Sequence, residues 1–517
     1  MKNVLKLRHL AHRVRALKVD GALDAPVAAL AYDARTVVPG AVFFAMPDRE
    51  PAEGRFAIPR AIERGAAAIV CEHGGFLPYR ATRIRVADCR RALALAAAAF
   101  HGEPSQKLQV VVVTGCAARV AVAHLLAEIF RAAGIPTGLA GSRGCSLGAR
   151  TLPPLAPAAE ALEVQECLAE MLRAGCRAGI LELPPETVSR GVLAGGEVDH
   201  LVITRLEAGP GDVSALQSPG RAQLPEGWQH GVRLRPGPNG RRLAGGLWHV
   251  EDVLAGRAGN GAELFFRVSG VLAPAAAYRA RLERADLRGT DLRVAAPEGS
   301  GWHARLRLPG RGLARAALAA AALALQWKLP LSAVQRGLVH AAAVPGRLEP
   351  VGAVRGAPVL VDATPALEDF EATLRELRDL TPGRLRVLFG CGWRHPAPER
   401  PAWGATAARW ADDVILTDDN PGRESPAALA AAVAAGFASV AGHPPRYEPD
   451  RAAAIAAVLA HAQAGDCVLL AGKGHHTVQE LGPCVVPFDD RAVARACLRP
   501  ASARPRTWNP ATVLRLR

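Results

Sequence analysis

The sequence predicts an α/β protein of three tandem units. Valine-rich runs such as "LQVVVVTG" (108–115) alternate with long helical stretches, the signature of a parallel sheet wrapped by helices. The same alternation returns on a smaller scale after residue 344. Finally, a chain of 517 residues is too long for one hydrophobic core.

In the first stretch (1–106), short strands are expected at "GAVFFAMP" (40–47) and "AAAIVCE" (66–72), with helices at 56–65 and 90–100. The turn "HGEPS" closes it. The second (107–343) carries strands at 108–115, 178–184 and 200–206, helices between them, and a Gly/Pro-rich loop at 209–227. The third (344–517) reads as Rossmann-like, with strands at 357–363, 384–390, 412–418 and 466–472 and a helix at 365–380.

Ten cysteines stand singly, with no Cys-x-x-Cys, so reduced and mostly buried thiols are expected rather than a zinc site or disulfide framework. The formal charge of +15 comes mainly from arginine interleaved with acids, with only six lysines. Without a basic stripe or interleaved aromatics, nucleic-acid binding is not expected. No run suits a bilayer and the start shows no charged end followed by an apolar core, so a cytoplasmic, membrane-free protein is expected.

The stretch "VVVTGCAARVAV" has the strand, turn and helix layout of a phosphate-binding loop, but lacks a second glycine, a lysine and a hydroxyl. Further motifs stand in order: "YDARTVVPGAVFFAMP", "GEPSQKLQVVVVTG", "VPGRLEPV", "FGCG", "DDNPGRESP", "AGKGHHTVQ" and "FDDR". Together they resemble, from end to end, the Mur ligases of peptidoglycan precursor synthesis, most closely those that add diaminopimelate to UDP-N-acetylmuramoyl-L-alanyl-D-glutamate. The resemblance implies three domains, a central one with a phosphate loop and a Rossmann-like one at the C-terminus. It also implies a chemistry in which ATP phosphorylates a carboxylate and an amine displaces phosphate, with magnesium between nucleotide and carboxylate.

Laid on that family, the nucleotide loop is Thr114, Gly115, Cys116, Ala117, Ala118, Arg119, Val120 and Ala121, where Thr-Gly-Thr-Asn-Gly-Lys-Thr-Thr is implied. Arg119 keeps a charge but not a compact ammonium, and Val120 offers magnesium no oxygen. Glu182 is the residual magnesium position, followed by Leu183-Pro184-Pro185-Glu186 in place of Val-Ser-Ser-His. Pro210 replaces a metal-binding histidine, and no lysine between Lys107 and Lys328 can be carbamylated. The adenine-side asparagines are absent from Gly310 to Ala316, while Arg347 and Asp362 survive on the nucleotide side. Asp33 and Arg35 match the uridine side; Pro157-Ala158-Ala159 replaces a Thr-Thr-Pro that holds the muramoyl peptide. On the amino-acid side Asp419, Asn420, Pro421, Lys473, Gly474 and His475 match. Gly422 replaces an arginine, Arg423 and Glu424 follow it, His476 replaces a glutamate, and Trp393-Arg394-His395 replaces Gly-Asp-Arg.

Two readings follow. In one, the chain is a pseudoligase without a catalytic residue, metal or nucleotide cofactor, binding a UDP-N-acetylmuramoyl peptide or another cell-wall enzyme. In the other it is an active amide ligase that uses ATP and magnesium to add diaminopimelate or another amine. Plainer readings stand beside these motifs. The loop can be a buried strand, turn and helix, and Glu182 a hydrogen-bonded carboxylate. His475 and His476, as neighbours in sequence, are expected to point apart rather than act as a pair. Trp393, Trp403 and Trp410 are expected to be core or rim packing more than a ligand surface.

Overall fold

The computed structural model describes residues 5–46, 51–73, 81–115, 118–148, 150–156, 159–205, 247–255, 263–270, 276–295, 301–341, 343–482 and 484–499. They fall into two compact units: Met1–Val253 with Phe266–Ala277 and Ala319–Val334, and Leu254–Phe265 with Tyr278–Leu318 and Gln335–Arg517.

The first unit begins with α1 (Leu7–Arg13), β1 (Lys18–Asp20), β2 (Ala29–Ala31), β3 (Ala41–Phe44), α2 (Pro51–Glu63), β4 (Ala68–Cys71), β5 (Thr82–Arg85) and α3 (Cys89–Phe100). The sheet order is β1-β5-β4-β3-β2, parallel except for β1. Asp88 starts α3 by accepting the Arg91 N–H at 2.9 Å.

There follow β6 (Gln109–Gly115), α4 (Arg119–Ala132), β7 (Thr137–Gly141), β8 (Gly144–Ser146), β9 (Thr151–Leu152), α5 (Ala161–Arg173), β10 (Ala178–Glu182), α6 (Pro185–Ser189), β11 (His200–Arg205) and β12 (Leu247–Ala255). Strands β12, β11, β6, β10 and β7 lie side by side in parallel, and β8 and β9 continue antiparallel. A central parallel strand is covered on both faces, which is why Val110 to Val113 are all apolar and all buried. Helix α4 then turns Val122, Leu125, Leu126, Ile129 and Phe130 inward.

The expectation of strand and helix alternation through 107–343 needs a correction. Residues 247–306 contain strands without an intervening described helix: β12, β13 (Glu263–Gly270), β14 (Ala276–Asp286), β15 (Gly289–Ala295) and β16 (Gly301–Leu306). β14, β15 and β16 form an antiparallel meander, and every second residue of β16 is buried. That period of two is the mark of a sheet with one face covered, and it is legible in "GWHARL". Helices α7 (Arg311–Gln326) and α8 (Leu331–His340) follow. The loop expected at 209–227 lies outside the described residues.

The second unit carries β17 (Glu349–Val354), β18 (Ala357–Asp362), α9 (Leu367–Leu380), β19 (Leu385–Phe389), α10 (Arg400–Trp410), β20 (Asp413–Leu416), α11 (Pro426–Ala441), β21 (Arg446–Tyr447), α12 (Arg451–His461) and β22 (Cys467–Ala471). The hairpin β23 (Val478–Leu481) and β24 (Cys484–Pro487) and then α13 (Asp490–Leu498) end the described chain. The sheet order β17-β18-β22-β19-β20-β21 is parallel except at β17, as the Rossmann-like reading requires. Nine described cysteines are free and seven of them are buried, matching the thiol expectation.

Candidate functional site

The turn after β6 is shaped by close packing. Gly115 has φ +109°, and a Cβ there would overlap the Thr204 carbonyl oxygen, so only glycine fits. The Thr204 hydroxyl donates to the Thr114 carbonyl at 3.0 Å, tying β11 to the end of β6. Cys116 and Ala117 lie outside the described residues. Ala118 sits in the right-handed region (φ −61°), and Val120, the first turn of α4, is buried.

Arg119 turns inward. Its Nε donates to Glu182 Oε1 at 2.7 Å and its Nη1 to the Gly115 carbonyl at 3.3 Å. The other carboxylate oxygen, Oε2, accepts from both the backbone N–H and the hydroxyl of Ser142, each at 2.7 Å. The Glu182 side chain is only 3% exposed. Gly141 makes room for it, because a Cβ there would stand 2.5 Å from Oε2. Both oxygens of the one carboxylate left for magnesium are thus taken by the protein itself.

The residues present do not fit a magnesium nucleotide. Val120 has no side-chain oxygen, Glu182 is bonded to Arg119 and Ser142, and the guanidinium turns its Nε and Nη1 to the chain. Of the other expected metal positions, Glu186 is exposed beyond Pro184-Pro185, and Leu206 to Pro210 lie outside the described residues. Ser142 carries no sequence motif; the β7–β8 turn alone brings it here.

On the uridine side, Asp33 caps a short 3-10 turn by accepting the Arg35 N–H at 2.8 Å, and the Arg35 guanidinium pairs back onto it at 2.7 Å. The two matching residues bind each other. Close by, Arg90 pairs with Glu160 at 3.2 Å, and the Tyr32 hydroxyl donates to Glu163 at the start of α5. Pro157 and Ala158 lie outside the described residues; Ala159 is buried.

In the second unit, Asp362 staples its own loop, accepting the Leu348 N–H at 2.8 Å and the Thr364 N–H at 3.0 Å. Arg347 stands 4.0 Å away. The amino-acid-side residues converge around Lys473, which is buried and reaches Asn420 Oδ1 at 3.1 Å, the Val478 carbonyl at 3.0 Å and Asp419 at 3.2 Å. Burial pulls the Lys473 pKa below the ordinary lysine range, against the opposing charge of Asp419. Gly474 (φ +55°) packs against Ala363, and Pro421 is buried. Arg423 is exposed. Glu424 is gripped by both terminal nitrogens of Arg400 at 2.8 Å, which lowers its pKa.

His475 and His476 correct an expectation: their rings lie 4.4 Å apart, tilted by 31°, instead of pointing away from each other. Gly474 sits in a left-handed turn before them, so strand alternation does not apply. The tryptophans separate as the packing reading has it. Trp403 stacks on Phe370 in the core, Trp410 donates to Glu371 at 3.3 Å, and Trp393 lies at the rim, 46% exposed. Sequence reasoning missed Arg400 and Glu480, which hold the loop through contacts distant in sequence.

Known proteins agree with this architecture. Residues 346–474 match the family described as "Mur ligase, glutamate ligase domain". The chain is 34% identical over 500 residues to the UDP-N-acetylmuramyl-tripeptide synthetase of Roseiflexus sp. (strain RS-1), covering 91% of this chain and 94% of the relative. It is 32% identical over 487 residues to the UDP-N-acetylmuramoyl-L-alanyl-D-glutamate–2,6-diaminopimelate ligase of Solibacter usitatus (strain Ellin6076), covering 92% and 94%. A solved structure of a ligase with that same name superposes with a TM-score of 0.54 at 20% identity, over 96% of this chain and 99% of the other, and shares the fold. With this end-to-end likeness, in the motifs, the identity and the aligned length, the chain belongs to the Mur ligase family.

Proposed function

We propose that this protein is a Mur ligase scaffold that serves peptidoglycan precursor synthesis by binding a UDP-N-acetylmuramoyl peptide or a partner enzyme, without ATP-dependent amide ligation. The observation that carries this reading is the closed Arg119–Glu182–Ser142 cluster. Opening it for a metal means breaking the Arg119–Glu182 ion pair and both Ser142 bonds before the carboxylate can turn to a new partner. The similarity to diaminopimelate-adding relatives supports the choice of precursor.

Calorimetric titration of the purified protein with magnesium-ATP and, separately, with UDP-N-acetylmuramoyl-L-alanyl-D-glutamate tests it. The expected result is no magnesium-dependent ATP binding at micromolar strength. Such binding, abolished by Arg119→Ala, or phosphate release with muramoyl peptide and an amine, would overturn the reading in favour of an active ligase that adds diaminopimelate or another amine.

A further inference from the structure

Helix α5 packs directly on the parallel sheet of the first unit. A Cβ on Gly138 of β7 would stand 2.5 Å from Met171 Cγ, and one on Gly179 of β10 would stand 3.1 Å from Leu168 Cδ2. Cys167 precedes Leu168 and sits one turn before Met171, on the buried face of the helix. Beside β7 in the sheet, β8 brings Cys145 opposite Ala140. Both cysteines belong to one apolar core, Cys145 fully buried and Cys167 8% exposed.

Within that core the Cys167 S–H donates a hydrogen bond to the Cys145 sulfur. The contact draws the Cys145 pKa below the ordinary thiol range, against burial and the Glu170 charge. It pushes Cys167 the other way, and burial acts in the same direction. Cys145 is therefore the sulfur on which a thiolate is stabilised, and Cys167 the one that keeps its proton. Other buried thiols bond elsewhere: Cys71 donates to the His73 carbonyl at 3.4 Å, Cys89 to the Val70 carbonyl at 3.5 Å, and Cys467 meets Thr381. Among the described residues no group of three or more His, Cys, Asp or Glu could hold a metal ion, so the pair is placed for dithiol chemistry.

We infer that Cys145 and Cys167 form a redox-active dithiol, a modification site that hydrogen peroxide converts to an intrachain disulfide. The Cys145 thiolate attacks one peroxide oxygen and the O–O bond breaks, leaving a sulfenic acid. The departing hydroxide takes up the proton that Cys145 released on ionising. The Cys167 sulfur then attacks the Cys145 sulfur; the S–S bond forms, the S–O bond breaks, and the hydroxyl leaves as water with the Cys167 proton. Two thiols lose two electrons and one peroxide becomes two waters. The new bond ties β8, and the turn with Ser142, to α5, whose start binds Arg90 through Glu160 and Tyr32 through Glu163. The inference goes beyond the proposed function and is independent of it, since the step needs neither ATP nor a muramoyl peptide.

Trypsin places the three cysteines of this core on separate peptides, 144–150, 151–173 and 174–177, so Cys176 serves as the internal comparison. The full-length protein is exposed to hydrogen peroxide, free thiols are blocked with iodoacetamide, and the unreduced digest is read by mass spectrometry. The same treatment in urea is the control. In the folded protein the cross-link between 144–150 and 151–173 should form about tenfold faster than any other disulfide. In urea that preference should disappear, and Cys176→Ser should leave the folded result unchanged. A rate no greater than that of other pairs, a link from 144–150 to 174–177 in its place, or a preference that persists in urea overturns the inference. None of these outcomes bears on the magnesium-ATP titration, so the two readings fail separately.

Discussion

At position 119 a guanidinium stands where the family resemblance implies an ammonium, and its fork of donors faces Glu182 and the Gly115 carbonyl. In the structure that charge pairs with a buried carboxylate. The same helix carries a second group, partly exposed at the surface, whose pKa is displaced. Burial, reinforced by the Arg143 and Arg131 cations, pushes the pKa of His124 down to about 3. In the unfolded chain the imidazole titrates at its ordinary 6.5, so between these values the unfolded state takes up a proton that the folded state refuses. Stability falls as pH drops from 6.5 toward 3, by up to about 1.4 kcal/mol per pH unit from this residue. Denaturant unfolding across that window should show a shallower pH dependence for His124→Gln than for the unaltered protein. Identical slopes would refute the assignment.

Among the elements, α10 and α11 pack closely enough to fix their sequences. A Cβ on Gly436 would overlap the Pro401 carbonyl and one on Gly404 the Val433 carbonyl, so each helix meets the other's backbone through a glycine. Ser425 caps the start of α11, with Pro426 in its first turn, and Gly442 (φ +78°) ends it. Gly436→Ala should lower unfolding free energy by about 3 kcal/mol through overpacking. Ala435→Ser on the exposed side of the same helix should stay within about 0.5 kcal/mol. Urea unfolding of both variants checks the pair, and equal stability would mean that the helices can separate at little cost.

For the whole chain, the departures from the residues the family resemblance implies are spread over several segments, so on the proposed reading local repair does not restore activity. The triple variant Ala118→Gly, Arg119→Lys and Val120→Thr restores the loop's residue types. Glu182 remains bonded to Ser142, and apart from the restored position 119 no lysine stands between Lys107 and Lys328. Phosphate release from ATP by this variant should stay at background; turnover above it would show that the loop alone had been limiting.

Much of the fold was legible because its signals are local. Continuous valines mark a doubly covered strand at 108–115, and the apolar run at 466–472 marks another. The strands β15 and β16 were missed because their alternation is short and mixed with arginines. On the amino-acid side the site was legible as matching residues such as Asp419, Asn420 and Lys473, and on the nucleotide side mostly as replaced ones. The sequence by itself determined the family, the α/β order and the absence of a loop lysine, since these are properties of residue type and spacing. Only the tertiary structure decided what the remaining groups do. Arg119 and Glu182 stand 63 residues apart and Trp393 and Glu480 stand 87 apart. Such pairs meet through sheet order and turn geometry, which set distances that no local pattern encodes.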